Sequence, residues 1–296
     1  MTQVIEIIGV PIDLGQSQRG VDLGPGALRY AGLVVRLERL GFEVRDMGNL
    51  VVPVRDAVRN ERDTHYRDTI RAVCEAAYEA GQRAVEQGHF PLFLGGDHSL
   101  SLGTIGGVTH QAAAGVLWID AHGDFNTEET TLTGNIHGMT LALLLGEGAQ
   151  MLVDVGRPGA KLKPADVVII GVRELDARER QHLSESGVTV YTMRDIDERG
   201  MGSVADEALR ALSHHTRLHV SLDIDALDPQ LSPGAGTLVP GGLTYREAQL
   251  LMEIIADDQR LTSLDLVEVN PILDERNRTA QIAVDLTASL FGQRIL

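Results

Sequence analysis

Cysteine, lysine and tryptophan are nearly missing from this chain: Cys74, Lys161, Lys163 and Trp118 are their only representatives among 296 residues, and aromatic residues make up 4%. A single thiol cannot close an internal disulfide, so a stapled extracellular scaffold is excluded and a cytoplasmic setting is expected. Lys+Arg number 26 against Asp+Glu 42, for a net charge of −16. With the arginines interleaved with acids and no basic patch, neither nucleic acid nor an anionic membrane surface is expected as a partner. The longest apolar runs, VVIIGV at 167–172 and LALLL at 141–145, fall far short of the ~18–20 residues that span a bilayer. Met1 leads into VIEIIGV with no basic segment, so no secretory leader is expected. Phosphate-binding and nucleophile motifs are also missing. No G-x-x-x-x-G-K-[ST] or G-x-S-x-G occurs, and the G-x-G-x-x-G begun by Gly234 and Gly236 fails at Val239.

What is plentiful is aliphatic. The chain is 43% hydrophobic, and short aliphatic runs at 4–10, 42–46, 91–95, 115–119, 166–171, 188–192, 217–222 and 262–269 alternate with helical stretches. That alternation predicts an α/β fold whose mainly parallel sheet is covered on both faces. Among the helices, 244–256 opens with a capping box of Thr244 and Glu247, and 62–87 offers Ile70, Val73, Tyr78 and Val85 for burial. No linker or repeat interrupts the pattern, so one domain, 1–296, is expected. Eight strands fit a closed barrel or an open doubly wound sheet, and periodicity does not choose between them.

Acids and histidines gather where these strands end, the edge at which open α/β sheets bind ligands. Strand 91–95 runs into Asp97 and His98, strand 115–119 into Asp120, His122 and Asp124, and strand 217–222 into Asp223, Asp225 and Asp228. If extension persists past the strand end, residues spaced i, i+2, i+4 project to one side and converge. Carboxylates packed so closely repel unless cations neutralise them, and mixed imidazole and carboxylate donors suit manganese or zinc. The two histidines with the four aspartates at these spacings, Asp120, Asp124, Asp223 and Asp225, exceed one ion's needs and fit a binuclear centre. A lone D-x-D is often only a cap or a solvated turn; three clusters at three strand ends argue against that here. His137, between Gly134 and Gly138, reads by itself as readily as a loop histidine as it does as a catalytic one. His65, His110, His182, His214 and His215 are expected to be solvated, His219 to be a core or cap residue, and His89 to lack acidic neighbours.

The segments GVPIDLGQSQRGVDLGP at 9–25, GGDHS at 95–99, WIDAHGDFNT at 118–127, SLDIDALDP at 221–229 and LVEVNP at 266–271, in this order, resemble the manganese-dependent ureohydrolases, the arginase/agmatinase family, and within it the arginase branch. The resemblance implies a three-layer αβα fold around an eight-stranded sheet, which selects the open sheet over the barrel. It implies a hydrolase that uses a metal-bridging hydroxide to cleave the guanidinium of L-arginine into L-ornithine and urea, with agmatine or another guanidino compound as the alternative substrate. Two Mn2+ are implied, one held by His98, Asp120, Asp124 and Asp223, the other by His122, Asp120, Asp223 and Asp225, with Asp120 and Asp223 bridging. Catalytic roles are implied for Asp124, for His137 as proton shuttle and for Glu268 as the guanidinium partner. Asn126, Thr131, Thr133, Asn135, Asp176 and Thr237 fall in the substrate-binding set. Thr133 stands where serine is common, and Glu128-Glu129 replaces a proline-containing pair. A homotrimer or homohexamer is the assembly the resemblance suggests.

Overall fold

The computed structural model describes residues 3–58 and 65–294. Eight strands form one sheet: β1 Val4–Val10, β2 Glu43–Asn49, β3 Phe90–Gly95, β4 Gly115–Ile119, β5 Val167–Val172, β6 Thr189–Thr192, β7 Leu218–Asp223 and β8 Leu261–Val267. Their order is β2-β1-β3-β8-β7-β4-β5-β6, and every pairing is parallel. The sheet is open, with β2 and β6 at its edges.

Strand alternation builds the two cores. Leu117 and Ile119 of β4, with Val168 and Ile170 of β5, pack toward one face, where Leu28, Leu37, Val204, Leu251, Met252 and Val284 come from helices Gly24–Tyr30, Leu33–Arg39, Met201–Ala211, Tyr245–Asp258 and Arg278–Leu290. Val116 and Trp118, with Val167 and Ile169, point the other way, onto helices Arg67–Glu86 and Ser101–Val108. Buried on both faces, the central strands are continuously aliphatic, as a parallel sheet requires. The result is a three-layer αβα arrangement.

Each expected strand is present within a residue or two, except that β2 extends to Asn49. The capping box at Thr244 and Glu247 is formed, with Thr244 Oγ1 accepting from the Glu247 N–H at 3.3 Å. The helix expected at 62–87 begins later, at Arg67, because Tyr66 lies in the left-handed region (φ 55°) and cannot continue it; residues 62–64 lie outside the described residues. Ile70, Val73 and Tyr78 are buried on this helix and Val85 is half-buried. Among the described residues no helix is long and apolar enough to cross a membrane.

Candidate active site

The chemistry-bearing residues leave the C-terminal ends of β3, β4, β7 and β8, four strands that are far apart in sequence but adjacent in the order β3-β8-β7-β4. After β3, Asp97 caps a 3-10 turn, His98–Leu100: its Oδ1 accepts from the Ser99 N–H at 3.0 Å and its Oδ2 from the Gly15 N–H at 2.8 Å. After β7, Asp223 Oδ1 accepts from the Asp225 N–H at 2.8 Å and starts the turn Ile224–Ala226. After β4 the chain bends at Ala121 and His122 and reaches Asp124 in the left-handed region (φ 48°), and Glu268 after β8 is left-handed too (φ 65°). Such backbone in non-glycine residues costs about 1–3 kcal/mol and persists only where the surroundings impose it. The expectation that extension alone aims Asp120, His122 and Asp124 is therefore corrected: bends and tight turns converge the side chains, because an extended chain would carry them out of the sheet edge.

The six expected ligands do come together. His98 Nδ1 lies 3.2 Å from Asp120 Oδ2, 3.1 Å from Asp124 Oδ2 and 3.2 Å from Asp223 Oδ2. His122 Nδ1 lies 3.1 Å from Asp225 Oδ2 and 3.5 Å from Asp120 Oδ1. Asp120 thus offers one oxygen to each histidine. His98 is fully buried, and its Nδ1 has no hydrogen-bond partner despite three facing carboxylates, whereas its Nε2 is engaged by Ser221 Oγ at 2.8 Å. An imidazole fixed through one nitrogen, presenting the other to several carboxylate oxygens, is the donor arrangement of a metal site with an orienting outer partner. His98, Asp120 and Asp124 form one group able to hold an ion, and Asp120, His122 and Asp225 a second. The residues fit a pair of divalent cations.

The electrostatics give the same picture from another side. Burial opposes a charge on His98, but the facing carboxylates of Asp120, Asp124 and Asp223 outweigh it and hold its pKa well above the usual value. His122, likewise desolvated, is pushed up to about 12 by Asp225 and Asp120. Asp124 rises to about 6 through burial and the Asp120 charge. The protein alone keeps so many carboxylates together only by gathering positive charge among them.

Beside this cluster, Glu268 is fully buried and its oxygens are in use: Oε1 accepts from the His98 N–H at 3.0 Å and faces His137 Nδ1 at 3.0 Å, while Oε2 accepts from Gln16 Nε2 at 2.7 Å. Burial alone would push this carboxyl up; His137 and the His98 N–H overcome that and leave it below its ordinary value. His137, desolvated but paired with Glu268, is raised to about 9. Its backbone N–H donates to Gly15 O at 3.0 Å, so the loop held by Asp97 also fixes His137.

A cleft of about 220 Å³ opens over the cluster, and Asn126, Thr131, Thr133, Asp176 and Thr237 line it. Asn126 Nδ2 donates to Asp176 Oδ2 at 3.3 Å, and Thr131 Oγ1 accepts from the Gly134 N–H at 3.0 Å. Thr237 Oγ1 donates to Asp225 Oδ2 at 2.9 Å, which ties it to the metal-ligand group. Asn135 is not in this cleft. It lines an adjoining hollow, and its Oδ1 accepts from Ser17 Oγ at 3.0 Å.

Sequence reading missed several residues. Glu179 and Glu174 line the cleft; Glu179 is buried, accepts from the Phe125 N–H at 3.0 Å and is raised to about 7 by desolvation. Its place in the helix Ala177–Ser186, three residues after the N-cap Asp176, was the available signal. Arg173 donates to the carbonyls of Asp225 at 2.6 Å, Ala226 at 3.2 Å and Val239 at 2.8 Å, clamping the loop that carries Asp225. Three histidine expectations also fail. His182 is part-buried, with Nε2 2.6 Å from Glu147 Oε2 and Nδ1 3.1 Å from Phe125 O. His89 Nδ1 meets Glu6 Oε1 at 2.6 Å because β1 and β3 are neighbours, and His215 is buried against Asp166.

Residues 3–292 match the model of the Arginase family. The chain belongs to the arginase family. It is 50% identical over 297 residues to the arginase of Bacillus caldovelox, with 99% of each chain covered, and 47% identical to that of Bacillus subtilis strain 168, with 100% of each covered. The native crystal structure of the Bacillus caldovelox arginase superposes with a TM-score of 0.96 at 47% identity, covering 100% of both chains. A hypothetical agmatinase from Burkholderia thailandensis, 23% identical with a TM-score of 0.75 over 98% of this chain and 84% of that one, shares the fold. As an arginase-family hydrolase, the chain places its clustered His and Asp donors on the fold seen in those structures.

Proposed function

We propose that this chain, acting as one catalytic domain over 1–296, hydrolyses L-arginine to L-ornithine and urea at a binuclear manganese centre through a metal-bridging hydroxide. The observation that carries the reading is the fully buried His98 Nδ1, unpartnered and 3.1–3.2 Å from three carboxylate oxygens. His98, Asp120, Asp124 and Asp223 would hold one ion and His122, Asp120, Asp223 and Asp225 the other, with Asp120 and Asp223 shared. When bound, such ions supply a water acidified toward neutral pH.

The chain's own residues do the rest. A guanidinium spreads its charge over three nitrogens, and its leaving amine must be protonated before it departs. His137, with Nδ1 engaged by Glu268 Oε1, has Nε2 left to deliver that proton. Glu268 keeps a negative charge beneath the cleft; it attracts the guanidinium and orients His137, and a guanidinium that contacts it directly takes over the donor place of Gln16 or His137. Asp124, at the meeting point of metal group and cleft, aims the attacking water by accepting a hydrogen bond. Asn126, Thr131, Thr133 and, from the adjoining hollow, Asn135 would present hydrogen-bond donors to the α-carboxylate, and Asp176 an acceptor to the α-amino group. Thr237 contributes through Asp225. An agmatinase reading shares the metals, Glu268 and His137, and differs only at this loop.

The proposal includes a cytoplasmic setting, supported by the single buried thiol of Cys74, and an assembly of three or six copies, consistent with exposed Tyr30, Met47 and Val51 near the β2 edge. The deciding assay measures urea released from L-arginine and from agmatine by manganese-loaded protein, with a chelated control. A wide preference for L-arginine, abolished by chelation, is expected. Equal use of agmatine would move the chain to the agmatinases, and no urea from either compound would overturn the reading of L-arginine as substrate.

A further inference from the structure

A second group of metal-type donors lies at the opposite edge of the sheet. Asp166 immediately precedes β5, and His214 and His215 lie in the turn before β7. With strands of 6 residues rising ~3.3 Å per residue, the two edges are about 20 Å apart. His215 Nε2 is 2.9 Å from Asp166 Oδ1, and His214 Nε2 is 3.6 Å from the same oxygen. One donor atom from each of the three residues falls in a group compact enough to surround one ion.

Hydrogen bonding explains only half of this arrangement. The His215 contact is an ordinary hydrogen bond, but 3.6 Å is beyond that range, so no such bond holds His214 in place. Its side chain is 50% exposed and free to point into water, yet its ring lies against that of His215, centroids 4.1 Å apart, with both Nε2 atoms turned to one oxygen. The other two donors are held before any ligand arrives. Asp166 Oδ2 accepts from the Lys163 N–H at 2.8 Å, and the Asp166 N–H donates to Lys163 O at 2.9 Å. The buried His215 has its carbonyl held by Arg260 Nη1 at 2.9 Å.

We propose that Asp166, His214 and His215 form a peripheral divalent-cation site, separate from the catalytic cluster. Two imidazole nitrogens and one carboxylate oxygen suit Zn2+, Ni2+ or Cu2+, and solvent would complete a tetrahedral set for zinc. The oxygen-rich catalytic cluster suits manganese better, so the two edges differ in the metal they favour. β4 lies between β7 and β5, and an ion here would clamp the two outer strands across its start.

The test uses manganese-loaded protein and zinc chloride as the probe, with zinc binding measured by calorimetry and total metal by elemental analysis. The parent is expected to take up one zinc beyond its active-site ions and to melt at a higher temperature with zinc than without. His214→Ala, at an exposed position that costs no packing, should weaken that uptake by on the order of 10–100-fold or more and remove the rise in melting temperature. Asp166→Asn should weaken it as well. Without zinc, His214→Ala should release urea at the parental rate, so this outcome is independent of the reading of the catalytic site. No additional zinc in the parent would overturn the proposal. Equal uptake by parent and His214→Ala would overturn it too, since zinc entering the manganese positions behaves in that way.

Discussion

The metal-ligand cluster and the loop 126–135 border the same cleft and are built on opposite physical terms. In the cluster, His98, Asp120, Asp124, Asp223 and Asp225 are all buried, each sits within a few residues of a strand end, and nearly every spare polar atom is engaged: Ser221 holds His98, Trp118 Nε1 donates to Asp120 Oδ2 at 3.0 Å, and the Ala121 N–H donates to Asp225 Oδ1 at 3.1 Å. The loop is half-exposed, its Leu132 is 80% exposed, and its hydrogen bonds run mostly between its own neighbours. Rigid strand ends hold the groups that must keep a fixed geometry, and a wet loop carries the groups that tell one guanidino compound from another. Removal of a cluster residue should therefore destroy the centre, while changes in the loop should grade its selectivity.

The largest effect is expected at Asp120, the one carboxylate that faces both histidines. Asp120→Ala should abolish urea release and lower bound metal from about two ions per chain to one or none. Metal analysis that finds two ions bound as in the parent would break the contrast between cluster and loop. Next comes His137, where the two regions meet. His137→Asn should lower kcat by ~10²–10⁴-fold with metal content unchanged, the range for a lost general acid-base group, and added imidazole should restore part of the rate. Loss of metal in this variant would place His137 in the cluster instead.

A smaller effect is expected in the loop itself. Asn126 lines the cleft and Asn135 does not, so Asn126→Ala should reduce the L-arginine preference in kcat/KM by roughly tenfold, about the worth of one hydrogen bond, and Asn135→Ala by less. The reverse ranking would show that the loop rearranges around substrate. The smallest effect belongs to Glu179. Burial disfavours its charge and raises the carboxyl from its ordinary 4.5 to about 7, so between these values the folded state binds the extra proton and stability falls as pH rises toward 7. Glu179→Gln should melt close to the parent near pH 5 and above it beyond pH 7. Parallel melting curves across that range would remove the desolvation argument.

The sequence determined more of the site than of its geometry. Aliphatic runs marked the strands, and the inner ones are continuously apolar because a parallel sheet covered on both faces needs such segments, whereas the edge strand β2, EVRDMGN, is largely exposed. The D-x-H-x-D and D-x-D clusters announced cations, because so many adjacent carboxylates are unstable without them, and the family segments named which acids and histidines belong together. Three things had to come from the tertiary structure. The order β3-β8-β7-β4 brings His98, Glu268, Asp223 and Asp120 to one edge, and strand order depends on crossovers that leave no local mark. The left-handed backbone at Asp124 and Glu268 replaces the expected extension, because packing around each residue imposes a conformation its own preference does not favour. Finally, Gln16, Arg173, Glu179 and the pair His215–Asp166 acquire their roles only from partners dozens to hundreds of residues away, and long-range contacts of that kind are decided by the assembled layers rather than by any stretch of chain.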